Sequence, residues 1–319
     1  MWRAGTVLSL LLAGCATEPL HSIADDTGTP PPPCGITVDA TLPAAGADAA
    51  YVRGPIEFHL SDADPNAQVV ADFPGQQTLR DDGRTVVFTP DAPLRPETAY
   101  TVGLDYCGGH PSIDFTTSAL GEPLDPGVDL VGRTFALDLA DARFLAGPGL
   151  EDVVATYLSP QILVSVVDEN AAGLHLRVAL PLPNDLQAQD PCARTVDLPS
   201  AAFDEAPFFV VQGTDLDFGT GDQTVNLRSL SITGTMAPDG TWMGGGTFDA
   251  LLDARDLATL LASTPDDLCS VAEGLGVPCA PCPQDDAPYC VDVQADHLTA
   301  DWLPDTPVTD VPSTPGACR

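Results

Sequence analysis

Cysteine is the residue type in this chain whose number and spacing most clearly suggest chemistry. Cys279 and Cys282 enclose two residues, a spacing found in metal-ligand pairs and in redox dithiols. Cys269, Cys290 and His297 lie near them in sequence, so these five residues form one candidate zinc-binding module.

Structural disulfides are the interpretation that we favour for the same cysteines. Beyond Cys15 the chain has an even number of them, which is typical of exported, disulfide-bonded proteins. Zinc thiolates compete poorly with oxidation outside the cytoplasm, and a thioredoxin-like dithiol needs a βαβ context that this sequence lacks. We therefore expect no metal and no cofactor, and leave the connectivity open. The disulfide candidates are Cys34, Cys107, Cys192, Cys269, Cys279, Cys282, Cys290 and Cys318.

Other catalytic chemistry finds little support in the sequence. Every basic residue is arginine, so a P-loop lysine, a Schiff-base lysine and a Ser-x-x-Lys pair are all excluded. Neither a Gly-x-Ser-x-Gly elbow nor a His-Glu-x-x-His zinc motif occurs. We therefore nominate no catalytic residue.

The histidines are scattered, and none has an evident catalytic partner in the sequence. His21 lies near the N-terminus, His59 and His175 on polar strand faces, and His110 in a glycine-rich loop. His297 shares its strand phase with apolar residues, so we interpret it as a buried, hydrogen-bonded histidine.

One acidic segment has a partial likeness to a calcium loop. Residues 62–66, Asp-Ala-Asp-Pro-Asn, begin like such a loop but lack its glycine and its closing glutamate. We interpret the segment as a turn.

The charge of the chain excludes one large class of partners. The formal net charge is −34, from 46 acidic and 12 basic residues. Such a surface repels nucleic acid and anionic lipid head groups, so we expect no nucleic-acid partner. A hydrophobic fraction of 44% is still enough for a well-filled core.

The N-terminal residues indicate where the protein acts. A charged start at Trp2-Arg3 and the apolar run Val7–Leu12 lead to Leu12-Ala13-Gly14-Cys15. This pattern resembles the signal peptide and lipobox of bacterial lipoproteins. The resemblance implies that residues 1–14 are removed and that Cys15 is lipidated and anchors the protein to a membrane. Ala16, where some families carry an inner-membrane retention Asp, favours the outer membrane, on its periplasmic or surface face. A plain secretory signal is the alternative.

Breaker-rich segments predict the domain boundaries. Residues 15–33 form an anchor and a proline-rich tether, and 120–127 form a linker dense in Gly and Pro. Residues 304–319 form a proline-rich tail, which we expect to be held only if Cys318 is bonded. These segments leave domains at 34–119 and 128–303.

The first domain is predicted to be a β-sandwich, because short alternating strands such as Ile56–Leu60 are separated by turns. In this strand Ile56, Phe58 and Leu60 share one face, while Glu57 and His59 share the polar one. Further strands are expected at Thr85–Thr89 and Tyr100–Leu104.

The first domain also resembles a known family. The segment from about 35 to 118 is similar to the bacterial Ig-like domain of surface-layer and other envelope proteins. The likeness rests on Ile56–Phe58, Val87–Pro90, Pro93–Tyr100 and Phe115–Thr117. It implies a spacer, stalk or binding module rather than an enzyme. That pattern does not require Cys34 and Cys107, which could form a disulfide between the first strand and a late one.

The second domain is predicted to be a barrel-like or curved β-sheet with short helices. Strands are expected at Arg133–Leu139, Ile162–Val167, Leu174–Val178, Phe208–Val211, Val225–Met236, Thr247–Leu252 and Tyr289–Trp302. A hairpin turn at Pro238-Asp239-Gly240 leads into Trp242 and then Thr247–Leu252. Helices are expected at Gly149–Leu158, at Asp253–Leu261 and after an N-cap at Thr264.

Taken together, the sequence predicts an all-β, lipid-anchored protein of the cell envelope. A non-enzymatic structural or interaction role is the leading hypothesis, with the Ig-like domain as spacer or binding module. A small-ligand or lipid carrier built on the second domain is one alternative, and the metal-binding module is another. The protein partner or small ligand is not identified by the sequence.

Overall fold

The computed structural model describes residues 34–139, 141–145, 161–220, 223–260 and 262–312. Strands account for 49% of the structure and helices for 7%, which confirms the all-β fold class. The chain from Ile36 onward forms one compact unit, built from a two-sheet sandwich and a larger curled sheet.

The sandwich contains seven antiparallel strands in two sheets. One sheet has the order β1-β2-β5-β4 and the other the order β3-β6-β7. The strands are β1 (Val38–Leu42), β2 (Ile56–Leu60), β3 (Gln68–Val70), β4 (Gly75–Arg80), β5 (Thr85–Pro90), β6 (Ala99–Asp105) and β7 (Ser112–Thr116).

Alternating side chains from the two sheets fill the sandwich core. Phe58 and Val86 of the first sheet meet Val102, Leu104 and Phe115 of the second, and all five are buried. Burying both apolar faces in this way is what makes two sheets stack.

A sheet of nine strands follows and is called here the large sheet. Its order is β14-β11-β10-β8-β18-β17-β16-β15, and the two-residue β9 also pairs with β18. The strands are β8 (Thr134–Asp138), β9 (Arg143–Phe144), β10 (Gln161–Asn170), β11 (Gly173–Ala179), β14 (Val196–Asp197), β15 (Phe208–Thr220), β16 (Gln223–Met236), β17 (Trp242–Asp253) and β18 (Cys290–Leu303). A separate hairpin joins β12 (Pro181–Leu182) to β13 (Asp185–Gln189).

The inner face of the large sheet is filled by its own side chains. The largest buried members of this core are Phe135, Val166, Leu174, Leu176, Phe209, Leu230 and Met236. A closely packed core of this kind accounts for the curl, because each strand contributes large residues to the same side.

Two short helices connect β17 to β18. The first, α1, spans Ala254–Leu260, and the second, α2, spans Pro265–Gly274. Thr264 caps α2 as predicted, since its hydroxyl accepts a hydrogen bond from the Asp267 N–H. Within the described residues, neither helix is long and apolar enough to cross a membrane.

Two segments expected to be loose are held in place. In the linker, Leu120 is buried, and the Asp125 N–H donates to the Pro238 carbonyl at 2.7 Å. In the tail, Thr195 donates its N–H to the Val311 carbonyl and accepts from the Val311 N–H, both at 2.9 Å. The tail is therefore attached through its own backbone, and the expectation that only Cys318 would hold it is corrected.

Several predicted features lie outside the described residues. They are the signal peptide and tether up to residue 33, the lipidation site Cys15, His21, the helix at Gly149–Leu158 and Cys318.

Candidate functional site

Glu57 is the centre of a charged cluster between the sandwich and the large sheet. It lies in β2 with its side chain fully buried, although its strand position predicts a polar, solvent-facing side chain. The large sheet covers that face of β2, and this turns an outward glutamate into a buried one. We call this cluster the junction.

Arg143 is the residue that bridges the two parts. Its Nη1 donates to Glu57 Oε2 at 2.6 Å and its Nη2 to Glu57 Oε1 at 3.0 Å. On its other side Nε and Nη2 donate to the two oxygens of Asp296 at 2.8 and 2.5 Å. Arg143 lies in β9 directly opposite Asp296 in β18, so strand pairing brings these two residues together. Glu57 then adds the contact to the sandwich.

Further cationic and histidine side chains complete the junction at the Glu57 end. Arg80, at the end of β4, forms a close ion pair with Glu57. The Nε2 of His59 lies 3.3 Å from Glu57 Oε2, and its Nδ1 lies 3.2 Å from the hydroxyl of Thr85. The predicted polar face of β2 therefore exists, but Glu57 on it faces protein, while the side chain of His59 stays 39% exposed.

At the other end of the junction, His297 is anchored to Asp296. Its Nδ1 lies 2.7 Å from Asp296 Oδ1, and its ring meets Tyr51 of the sandwich edge-on at 5.2 Å. The imidazole side chain is 27% exposed. The expectation of a hydrogen-bonded, inward-facing histidine is thus met in part, since the ring is only partly buried.

Two neighbouring β-bulges aim these side chains. His297 has φ of 59° and Gly245, on the facing strand β17, has φ of 60°. The pairing of β17 with β18 shifts register on both sides of Gly246. Asp296 and His297 lie within this register shift, and a bulge re-aims the side chains that it contains, so both turn toward the sandwich. A Cβ on Gly245 would lie 3.1 Å from the Tyr51 ring, so glycine allows this close approach.

The electrostatics of the junction favour the charged forms of both carboxylates. Burial alone would raise the pKa of Glu57, but hydrogen bonds from His59 and Arg143 and the charges of Arg143 and Arg80 lower it to about 2. Burial likewise opposes ionisation of Asp296, and hydrogen bonds from Arg143 and His297 outweigh it, so this pKa is also lowered. The same carboxylates raise the pKa of Arg143 despite its burial.

Burial raises the pKa of Tyr51, a backbone hydrogen bond with Gly245 opposes the shift, and the charges of Asp141 and Asp296 add to it. The phenol therefore keeps its proton more firmly than an exposed tyrosine does.

The charges of the junction cancel, and its side chains support few kinds of reaction. Two carboxylates, Glu57 and Asp296, face two guanidiniums, Arg80 and Arg143. An Asp–His pair such as Asp296–His297 can act as a general base when a nucleophile is within reach. Among the described residues no Ser, Thr or Cys side chain hydrogen-bonds to His297. The junction therefore has the composition of a structural ion network.

A second ion cluster lies at the start of α1. Arg255 donates from Nη2 to Asp253 Oδ2 at 2.6 Å and from Nη1 to Asp285 Oδ2 at 2.5 Å. Hydrogen bonds from Arg255 lower the pKa of Asp253, although burial opposes this. The cluster fixes α1 to the loop that precedes β18.

The cysteines near this cluster form disulfides. Cys269 bonds to Cys279 and Cys282 bonds to Cys290, with Cα atoms 5.5 and 5.0 Å apart. Cys34, Cys107 and Cys192 are also disulfide-bonded. The prediction of disulfide bonding is thus confirmed for the described cysteines, while the specific pairing of Cys34 with Cys107 and the bonding of Cys318 stay predictions.

The alternative of a metal or redox site is corrected by these bonds. Asp253 lies close to the sulfurs of Cys282 and Cys290, but both sulfurs are used in a disulfide and offer no thiolate. Cys279 and Cys282 pair with other partners rather than with each other, so they form no Cys-x-x-Cys dithiol. His297 contacts Asp296 and Tyr51 instead of the cysteines. The metal module of Cys269, Cys279, Cys282, Cys290 and His297 is therefore wrong for the disulfide-bonded protein.

The remaining candidates behave as local structure. Asp64 accepts hydrogen bonds from the N–H groups of Asn66 and Cys107 at 2.9 and 2.8 Å, which makes residues 62–66 a turn. His110 pairs with Asp105 at the surface. His175 lies opposite Asp168 on β10.

The comparisons with known proteins give little help. No protein-family model matches the chain. No curated protein matches it in sequence. Among solved structures, an L,D-transpeptidase from Mycobacterium smegmatis is similar at 15% identity, over 46% of this chain and 76% of that one, with a TM-score of 0.22. A likeness this low carries no argument about fold or activity.

The residues that sequence reasoning missed are Glu57 and Arg143. Each belongs to a pattern that the sequence shows, the polar face of β2 for Glu57 and an Asp-Ala-Arg triplet for Arg143. The triplet recurs at Asp253-Ala254-Arg255, and both arginines form ion networks. No sequence signal pairs Glu57 with Arg143, because 86 positions separate them.

Proposed function

We propose that this protein is a lipid-anchored structural or interaction protein of the cell envelope and that it is not an enzyme. The resemblance of residues 1–15 to a lipoprotein signal supports the anchor at Cys15, and Ala16 supports the outer membrane. The Ig-like resemblance of the sandwich supports a spacer or binding role.

The proposal that the protein is not an enzyme depends on one observation, that its buried carboxylates all have hydrogen-bond donors within the protein. Four carboxylates are buried in the described part of the chain, at Glu57, Asp64, Asp253 and Asp296. Each accepts from an arginine or from backbone N–H groups. Catalytic acids and bases need an open side toward substrate, and these carboxylates are committed to structure.

The carrier alternative is less favoured than the structural role. A carrier needs an interior volume for its ligand, whereas Phe135, Leu174, Phe209, Leu230 and Met236 occupy the inside of the large sheet.

Labelling with a radioactive fatty acid tests the anchor. We expect the wild-type chain to take up label and to sediment with membranes, and the Cys15→Ser variant to do neither. An unlabelled, soluble wild-type protein would overturn the anchor.

A hydrolase screen of the exported protein tests the absence of catalysis. His297→Gln is the decisive variant, because it removes the one partly exposed member of the Asp–His pair. A hydrolytic activity that this substitution abolishes while the unfolding midpoint stays unchanged would overturn the proposal.

A further inference from the structure

A cleft between the sandwich and the large sheet has the chemistry of a binding site for a basic side chain. Its volume is about 370 Å³, and it lies between Arg53 of the sandwich and the beginning of β15 in the large sheet. Clefts between packed modules are preferred positions for binding sites. The residues that matter here are Arg53, Asp204, Glu205, Phe208, Val210 and Gln212.

Arg53 of the protein itself already binds in this cleft as a basic side chain. Its guanidinium carbon lies 3.6 Å from the centre of the Phe208 ring, and its Nη2 donates to Glu205 Oε2 at 3.0 Å. An aromatic face beside a carboxylate is the combination that binds a guanidinium or an ammonium. Glu205 is 74% exposed and the Arg53 side chain 35%, so this internal pair is open to exchange with a cation from outside.

The cleft also has polar groups that Arg53 does not use. Asp204 and Gln212 are exposed, and in the described part of the chain neither side chain forms an ion pair or hydrogen bond. Asp204 thus offers a second carboxylate beside the one that holds Arg53.

The edge of β15 provides backbone groups next to these side chains. β15 is the last strand of the large sheet, and on its outer side the described residues pair with it at Ala202–Val210 alone. Beyond Val210, an extended peptide could add to the edge through main-chain hydrogen bonds.

The charge of the whole chain selects the sign of the partner. With a net charge of −34, the protein attracts basic segments and repels acidic ones. We propose that the cleft docks an extended, arginine- or lysine-bearing segment of a partner protein, whose cation displaces Arg53 from Phe208 and Glu205. This inference rests on the proposed role as an interaction protein and names the partner chemistry.

Fluorescence anisotropy with the exported, disulfide-bonded chain tests the inference. The probe is a short fluorescein-labelled peptide of alternating arginine and threonine, and a glutamate–threonine peptide is the charge control. We expect Asp204→Asn to weaken binding about fivefold. The matched control Asp185→Asn, which removes the same charge from the β12–β13 hairpin, should leave binding nearly unchanged. Phe208→Leu should weaken it as well.

Arg53→Ala is the sharper test, because the inference predicts that this substitution increases the affinity for the peptide instead of lowering it. Removing the resident cation should tighten peptide binding about fivefold, whereas Arg84→Ala, which removes an exposed arginine elsewhere on the sandwich, should not. Equal effects of Asp204→Asn and Asp185→Asn would mean general charge attraction and would overturn the site. Weaker binding by Arg53→Ala, or no binding by wild type, would do the same. None of these outcomes changes the fatty-acid labelling at Cys15, so the two proposals fail separately.

Discussion

A carboxylate without solvent contact is stable only when cations and hydrogen-bond donors surround it, and Glu57 has both. Arg143 approaches it through two nitrogens, Arg80 through one, and His59 through its imidazole. Removing one partner from such a group costs far more than the pair contributes, because the other charge remains buried.

Glu57→Gln tests this dependence. We expect the free energy of unfolding to fall by about 3 kcal/mol, since a neutral amide cannot compensate Arg80 and Arg143. Urea unfolding followed by circular dichroism measures the loss. Glu169→Gln, at an exposed position on β10, is the matched control and should change stability by less than about 0.5 kcal/mol. Similar losses in the two variants would contradict the role of the junction.

The acid dependence of stability follows from the same residue. The pKa of Glu57 is lowered from 4.5 to about 2 in the folded chain, so its ionisation stabilises the fold above pH 4.5. This contribution, about 3 kcal/mol, is lost as the pH falls from 4.5 toward 2. The lowered pKa of Asp296 acts in the same direction. Unfolding free energies measured across this range should fall less steeply for Glu57→Gln than for wild type, and parallel curves would contradict the assignment.

Among the elements, β17 and β18 decide the geometry of the junction. In a regular strand Ala295 and Asp296 would point to opposite faces of the sheet, and both are buried here. The bulges at Gly245 and His297 break the alternation where the sandwich packs against the sheet. Local irregularity thus creates the contact surface.

Gly245→Ala tests the bulge at β17. The alanine would take a left-handed backbone and place its Cβ 3.1 Å from Tyr51, so we expect a loss of about 2 kcal/mol. Gly213→Ala is the matched control, because Gly213 has φ of 61° and open space around its Cβ position. It should lose only the backbone part, about 1 kcal/mol. Thermal unfolding compares the two, and equal losses would show that contact with Tyr51 is unimportant.

At the scale of the whole molecule, the junction makes one compact unit of two β-structures. Arg143 links Glu57 of the sandwich to Asp296 of the large sheet, and Leu120 and Phe208 add apolar contacts nearby. Because these contacts join the cores of both parts, we expect the two to unfold together.

Arg143→Ala should uncouple the two parts. It leaves Glu57 and Asp296 buried without their common cation, so we expect the single calorimetric transition of wild type to split into two. Arg84→Ala, an exposed arginine outside the junction, is the control and should keep one transition. A single transition in Arg143→Ala, with equal calorimetric and van't Hoff enthalpies, would contradict the coupling.

Much of the fold could be predicted because strand signals are local. The alternation at Ile56–Leu60, the apolar run beginning at Ile162 and the N-cap at Thr264 each depend on neighbouring residues, and each is observed at its predicted place. The disulfides were predictable in kind, from an even number of cysteines, but not in connectivity. The Cys279–Cys282 spacing pointed to a pair that does not form.

The junction and the cleft could not be predicted, because each joins residues that are far apart in the chain. Composition and period-two patterning alone determined the all-β class, the acidic surface and the disulfide bonding. Only tertiary structure decided that the large sheet covers the polar face of β2, that Arg143 lies between Glu57 and Asp296, and that Arg53 rests on Phe208. The physical reason is that solvent exposure is a property of the packed molecule: a strand position specifies which way Glu57 points, and only the packing specifies what it meets there.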